Sequence, residues 1–217
     1  MLKVLLKLSI RFTGRRFVAL ILEKINTKIR ALAYRFYGLQ QVFDWDLGTD
    51  PEWADHYIDL YNRWRKTRNP LWVERGCFNL LAIEQGAKIL ELCCGDGFNA
   101  YYFYSQRASG IIAIDFDPKA IAHAKKFNSA PNILYKIGDI RKFHPIDKFN
   151  NIIWDAAIEH FTPKEIHALL SRIKKNLKNG GILSGYTITE KTGGEKQHPL
   201  HEYEFKSKED LARFFSP

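Results

Sequence analysis

The chain has 217 residues, 46% hydrophobic and 14% aromatic, enough for one domain with a sizeable core plus an extension. Its three cysteines, two of them adjacent (Cys93, Cys94), offer neither a disulfide framework nor a zinc spacing, which favours a reducing cytoplasm; no run of about 18 apolar residues could span a bilayer. The net charge of +9 is uneven: residues 1–37 hold nine Lys/Arg and one Glu, the rest 24 basic and 23 acidic residues. A near-neutral bulk argues against a nucleic-acid substrate, which demands a basic face around the site.

Residues 1–37 read as a basic amphipathic helix or pair, broken near Gly14. Lys3, Lys7, Arg11 and Arg15 recur every four residues along one side, and Leu2, Leu5, Leu6, Phe17, Leu20 and Ile21 supply apolar surface. The run Phe17 to Leu22 is too short for a signal-peptide core. Either this segment docks on a membrane surface or a partner, placing the protein peripherally at the inner membrane surface, or it packs on its own domain with its lysines solvated. Residues 38–50, punctuated by Gly38 and Gly48, read as a loop, so the extension spans 1–50 and the domain 51–217. Asp50-Pro51 fits an N-cap and first helical position. Trp53, Tyr57, Tyr61 and Trp64 then form an aromatic stripe, as core packing or as a lid, and another helix follows Pro70.

From residue 87 strand and helix patterns alternate, which implies a parallel sheet covered on both faces. The predicted strands are 87–92, 110–115, 132–137, 149–154 and 181–188. Thr162-Pro163-Lys164-Glu165 is a capping box with proline in the first turn. Ile166, Leu169, Leu170, Ile173 and Leu177 form the buried face of that helix, and Gly180 ends it. Ser207 opens a last helix.

The most informative stretch is Ile89 to Ala100. An apolar strand carrying Glu91 runs into a turn with Gly95 and Gly97, where no Cβ obstructs a ligand. A second carboxylate, Asp115, closes the next apolar run. Gly95-Asp96-Gly97-Phe98-Asn99-Ala100 also fits the dinucleotide fingerprint G-x-G-x-x-[GA], with Asp115 about 20 residues on. Two features oppose that reading. Glu91 at the turn would repel a pyrophosphate, and the chain supplies only one nucleotide-binding half. A cationic ligand would be welcome there.

Glu91-x-Cys93-x-Gly95-x-Gly97 resembles the first motif of class I S-adenosylmethionine-dependent methyltransferases, [DE]-x-G-x-G-x-G, with cysteine at its usual first glycine. Ile114-Asp115-Phe116-Asp117-Pro118, Gly138-Asp139-Ile140, and Phe149 to Asp155 running into Glu159-His160-Phe161 are similar to the second, third and fourth motifs. Leu177 to Leu183 resembles the turn and strand after them. The likeness covers roughly residues 70–216. It implies an α/β, three-layer Rossmann-like methyltransferase fold with a mostly parallel sheet. Members usually add two antiparallel strands, which the chain is expected to lack, and here a helical N-terminal extension precedes the domain.

The resemblance also implies roles. Glu91 favours the cationic methionine end of S-adenosylmethionine, and the backbone at Cys93, Gly95 and Gly97 lines its tail. Asp115 accepts the ribose hydroxyls, Phe116 flanks the adenine, and Asp139 with the Ile140 backbone reads its edge. Trp154 and Asp155 face the transferred methyl. His160 is the expected base or a structural histidine, and His201, in the polar loop 198–204, is the second candidate for catalysis. No metal is required, because a sulfonium is already a good leaving group. The expected activity is methyl transfer to a small-molecule acceptor such as a sugar or lipid-linked precursor. The alternatives are a protein or RNA methyltransferase docking through residues 1–37, or a cofactor-binding module without activity.

Overall fold

A computed structural model of the chain describes residues 14–45, 71–191, 193–194 and 196–215. The chain divides into two compact units, residues 1–69 and 70–217. The aromatic stripe at 53–64, the Asp50-Pro51 cap and the lysines at 3 and 7 lie outside the described residues.

In the first unit, Gly14 takes a left-handed φ of 66° and helix α1 (Arg15–Trp45) begins at the next residue. The helix corrects one expectation. It runs straight through Gly38 rather than giving way to a loop there. An interior glycine costs a helix only about 1 kcal/mol relative to alanine, and the neighbouring turns are otherwise compatible with helix. Leu22, Ile25, Ile29, Leu32, Phe36, Leu39 and Phe43 recur at steps of three and four, so they share one side, and all are exposed. No helix among the described residues is long and apolar enough to cross a membrane.

The second unit opens with α2 (Leu71–Leu81). Five strands follow: β1 (Ala87–Leu92), β2 (Ala108–Asp115), β3 (Ile133–Ile137), β4 (Phe149–Trp154) and β5 (Leu177–Ser184). Between them lie α3 (Phe98–Tyr102), α4 (Pro118–Phe127) and α5 (Pro163–Asn176), and α6 (Lys208–Arg213) closes the unit. The strand order is β3-β2-β1-β4-β5, every pair parallel. The chain therefore winds outward from β1 to β3 and then crosses back to β4 and β5. The order reverses between β1 and β4, and a parallel sheet of this kind opens its ligand crevice there, beyond the carboxyl ends of the strands.

Alternation along the strands feeds two cores. Ile89, Ile111, Ala113 and Ile153 pack with Ala100, Tyr104, Ile121 and Tyr135 on one face. Leu90, Leu92, Ile114 and Ile152 pack with Ile166, Leu169, Ile173 and Phe205 on the other. The capping box forms as its sequence requires. Thr162 Oγ1 accepts the Glu165 N–H, and Glu165 Oε2 accepts the Thr162 N–H at 2.9 Å.

The fifth strand is displaced from its expected place. Helix α5 ends at Asn176, and Leu177 is extended and pairs with Phe149 rather than extending the helix. Gly180, at φ 74°, sits in the irregularity between the Phe149 and Asn151 pairings instead of terminating the helix. The strand stops at Ser184. A Cβ on Gly185 would stand 2.0 Å from the Trp154 carbonyl oxygen, so the chain crosses the end of β4 at backbone contact.

Candidate active site

The turn after β1 is built from three left-handed residues, Cys93 (φ 57°), Gly95 (φ 54°) and Gly97 (φ 73°). Cys93 adopts a conformation that favours glycine, which accounts for glycine being usual at this place in the resembling motif. Gly97 is needed for space as well: a Cβ there would meet the Tyr135 hydroxyl at 2.4 Å. That hydroxyl donates to the Asn128 carbonyl at 2.7 Å and lies 3.2 Å from the Gly97 carbonyl, which fixes the turn against β3. Burial pushes both the Cys93 and Cys94 thiols well above their ordinary range, so neither is a ready nucleophile.

Asp115, at the end of β2, grips the same turn. Its Oδ2 accepts the Gly95 N–H at 2.8 Å and its Oδ1 accepts the Asp117 N–H at 2.9 Å. Burial nevertheless raises its carboxyl above the ordinary value. Phe116 projects from the rim, 73% exposed. Asp139 Oδ1 accepts the Arg141 N–H at 2.9 Å. The Ile140 side chain is buried in the core, which leaves its backbone as the part able to face a ligand.

Glu91 is the unusual group. It is 3% exposed near the end of β1, and its Oε2 is buried with no hydrogen-bond partner among the described residues. Burial drives its carboxyl well above its ordinary value of 4.5, and the neighbouring charges of Asp155, Asp96 and Asp115 drive it further. A buried carboxyl surrounded by carboxylates is relieved either by holding a proton or by a cation in the crevice. Asp155, just past β4, is held by Asn99, whose Nδ2 donates to Asp155 Oδ2 at 3.3 Å. Ala156 follows with a strained φ of 48°, and its N–H donates to the Tyr186 carbonyl at 2.6 Å.

A histidine cluster stands beyond β4. The His160 and His201 rings lie 4.8 Å apart between centroids, and His198 adds a third ring 5.2 Å from His201. The two expected histidines are thus brought together, in different settings. His160 is half-buried and its Nδ1 stands 3.2 Å from the Leu200 carbonyl. A carbonyl only accepts, so Nδ1 carries the proton and Nε2 is the basic nitrogen of the neutral ring. His201 is 2% exposed and its Nδ1 lies 2.5 Å from Glu204 Oε1. Burial works to raise Glu204, but the bonds from His201 and from the Gln197 and His198 N–H groups outweigh it and hold the carboxyl low. Glu159 ties the cluster to β4: its carbonyl accepts the Glu202 and Tyr203 N–H groups at 2.9 and 3.1 Å. Its side chain accepts the Thr187 hydroxyl at 2.9 Å. Asn99 and Ala156 were not expected from the sequence, because each acts through a contact that folding alone creates, whereas Glu204 lies in the expected polar loop 198–204, three residues from His201.

Part of the chain is similar to known methyltransferases. Residues 89–181 match the family model described as "Methyltransferase domain". An uncharacterized methyltransferase of Synechocystis sp. is 31% identical over 106 residues, 48% of this chain and 48% of that protein. The chain thus spans about half the length of this curated relative. A candidate methyltransferase of Bacillus halodurans C-125 superposes with a TM-score of 0.56 at 19% identity, over 64% of this chain and 66% of that one. The DhpI–SAM–HEP complex does so with a TM-score of 0.50 at 16% identity, over 74% and 65%. At such identities the two structures bear on the fold. Residues 89–181 are thus similar to a methyltransferase domain, and the parallel sheet that carries them is Rossmann-like.

Proposed function

We propose that the chain transfers a methyl group from S-adenosylmethionine to a small-molecule acceptor. The observation that carries this reading is Glu91, whose buried carboxyl oxygen has no hydrogen-bond partner among the described residues, faces a crowd of like charges and would suit a cationic ligand. S-adenosylmethionine would supply the methyl on a sulfonium and bring that positive charge. Glu91 holds the cationic end, the left-handed turn at Cys93, Gly95 and Gly97 lines it, and Asp115 and Asp139 receive hydroxyl and amino donors at the neighbouring strand ends. Phe116 covers the adenine from the rim. His160 Nε2 receives the acceptor's proton, and His201 stands behind it, held by Glu204, as a positioning residue. Alignment of the reacting atoms is the main contribution, so the site needs rigid walls more than strong acids. The near-neutral charge of residues 38–217 supports a small acceptor over a nucleic acid. The exposed apolar side of α1, with Lys24, Lys28 and Arg35 on the same helix, supports peripheral contact with an anionic membrane surface.

Titration calorimetry with S-adenosylhomocysteine tests the reading. Saturable one-to-one binding is expected, with no measurable binding of NADH. Saturable NADH binding without binding of S-adenosylhomocysteine would overturn it.

A further inference from the structure

A cavity of about 280 Å³ opens where β4 and β5 end, beside the crevice. Its apolar walls come from Phe78 of α2, Trp154, Ile158, Leu183, Leu211 of α6 and Phe215 just past that helix. Trp154 lines this cavity, and the next residue, Asp155, is one of the carboxylates acting on Glu91. Among the described residues that line it, none carries a charge.

The polar atoms in the walls fall into two sets. Some are already engaged: Asn79 Nδ2 donates to the Tyr104 hydroxyl at 3.0 Å, and the Thr187 hydroxyl donates to Glu159. Two others, Trp154 Nε1 and Ser184 Oγ, are buried with no hydrogen-bond partner among the described residues. An indole N–H can only donate, and a serine hydroxyl can donate as well. Buried donors left unmade cost free energy until an acceptor reaches them. The volume also discriminates. It is roughly twice the ~150 Å³ of a cavity known to hold benzene, so a two-ring molecule fits. A phosphorylated or carboxylated ligand would leave its charge without a counter-charge in these walls.

We propose that this cavity is the acceptor site, and that it takes an uncharged, mostly apolar molecule of about two rings bearing an oxygen that accepts from Trp154 and Ser184. The inference rests on the methyltransferase reading and narrows its acceptor class. It sets aside charged metabolites, and the mostly apolar walls favour a ring system over a free sugar.

The probes are 2-naphthol and 2-naphthoate, equal in ring size and differing in charge. They are titrated into the full chain saturated with S-adenosylhomocysteine and followed by saturation-transfer NMR. Naphthol should bind saturably and naphthoate at least tenfold more weakly. Ser184→Leu and Leu211→Trp, at half-buried positions, should each fill the cavity and weaken naphthol at least tenfold with S-adenosylhomocysteine affinity unchanged. Ser184→Ala, which keeps the space and removes the hydroxyl, should weaken naphthol about threefold. Equal or tighter naphthoate binding overturns the proposal. So does naphthol binding that neither filling variant disturbs, or no naphthol binding by a wild-type chain that binds S-adenosylhomocysteine. Naphthol binding in a chain that ignores S-adenosylhomocysteine would keep the cavity's chemistry and sink the methyltransferase reading instead.

Discussion

Glu91 sets stability against function at one residue. Its carboxyl titrates higher in the folded chain than in the unfolded one, so in the window between the two values the folded state holds the extra proton. The stability linked to that proton is fully present below the unfolded value of about 4.5 and is lost as pH rises through the folded value. Glu91→Gln removes this slope. Melts of the ligand-free variant at pH 7.5 should show a midpoint a few degrees above wild type, where about 2–4 °C corresponds to 1 kcal/mol in a domain of this size. Calorimetry should show the opposite for the cofactor product, at least tenfold weaker binding. A variant that melts lower and binds as well would remove Glu91 from the cation-binding role. Asp115 needs a gentler test, because its two oxygens also hold the Gly95 and Asp117 N–H groups. Asp115→Asn keeps one acceptor oxygen for the turn and loses the charge. Since a bond to a charged acceptor contributes about 1.5–3 kcal/mol, S-adenosylhomocysteine should bind at least tenfold more weakly. An unchanged dissociation constant in a folded variant would end the ribose assignment.

Elements whose signals are local were the legible ones. Strands β1 and β4 occupy residues 87–92 and 149–154 as expected, because each is an apolar run fenced by turn residues. Helix α5 announces itself through Thr162 and Glu165. Elements shaped by pairing were misplaced: Leu177 satisfies a helical face in sequence, but its partner in space is Phe149, and that pairing decides. The same division applies to the site. Glu91, Asp115 and the glycine turn are local and readable, whereas Asn99 meets Asp155 across 56 positions and Thr187 meets Glu159 across 28. The cap of α5 offers a quantitative check. The Thr162 N–H and hydroxyl, and then Arg141, hold the Glu165 carboxyl below its ordinary value. Its contribution is present above the unfolded value and lost as pH falls through the folded one. Thr162→Ala should cost about 1 kcal/mol, the usual worth of an N-cap. Thermal melts should show that cost at pH 7 and a progressively smaller one as the pH falls through the lowered folded value of Glu165, where its protonation weakens the reciprocal bonds. A cost that grows toward acid would mean that the box does not act through the carboxylate.

At the scale of the whole molecule, charge and chemistry are segregated along the chain. The excess of positive charge lies in residues 1–37, and every side chain placed around the crevice, from Glu91 to Glu204, lies in the unit formed by residues 70–217. Both buried clusters are likewise drawn from residues 83–205. A sheet that supplies its own core and its own ligand-binding strand ends carries its affinity with it. Deleting residues 1–45 should therefore leave the S-adenosylhomocysteine dissociation constant within about threefold of the full chain, a difference of about 0.65 kcal/mol, since no residue assigned to the cofactor is removed. The same deletion should abolish sedimentation with vesicles containing phosphatidylserine at low salt, because each basic residue near such a surface contributes about 1 kcal/mol and the deletion removes the nine Lys/Arg of residues 1–37. The two measurements separate the roles of the units. Loss of cofactor binding in a shortened chain that still melts cooperatively would show that the N-terminal unit helps to build the site. Vesicle binding that survives the deletion would move the membrane contact to the unit of residues 70–217, where the balance of charge gives it little support.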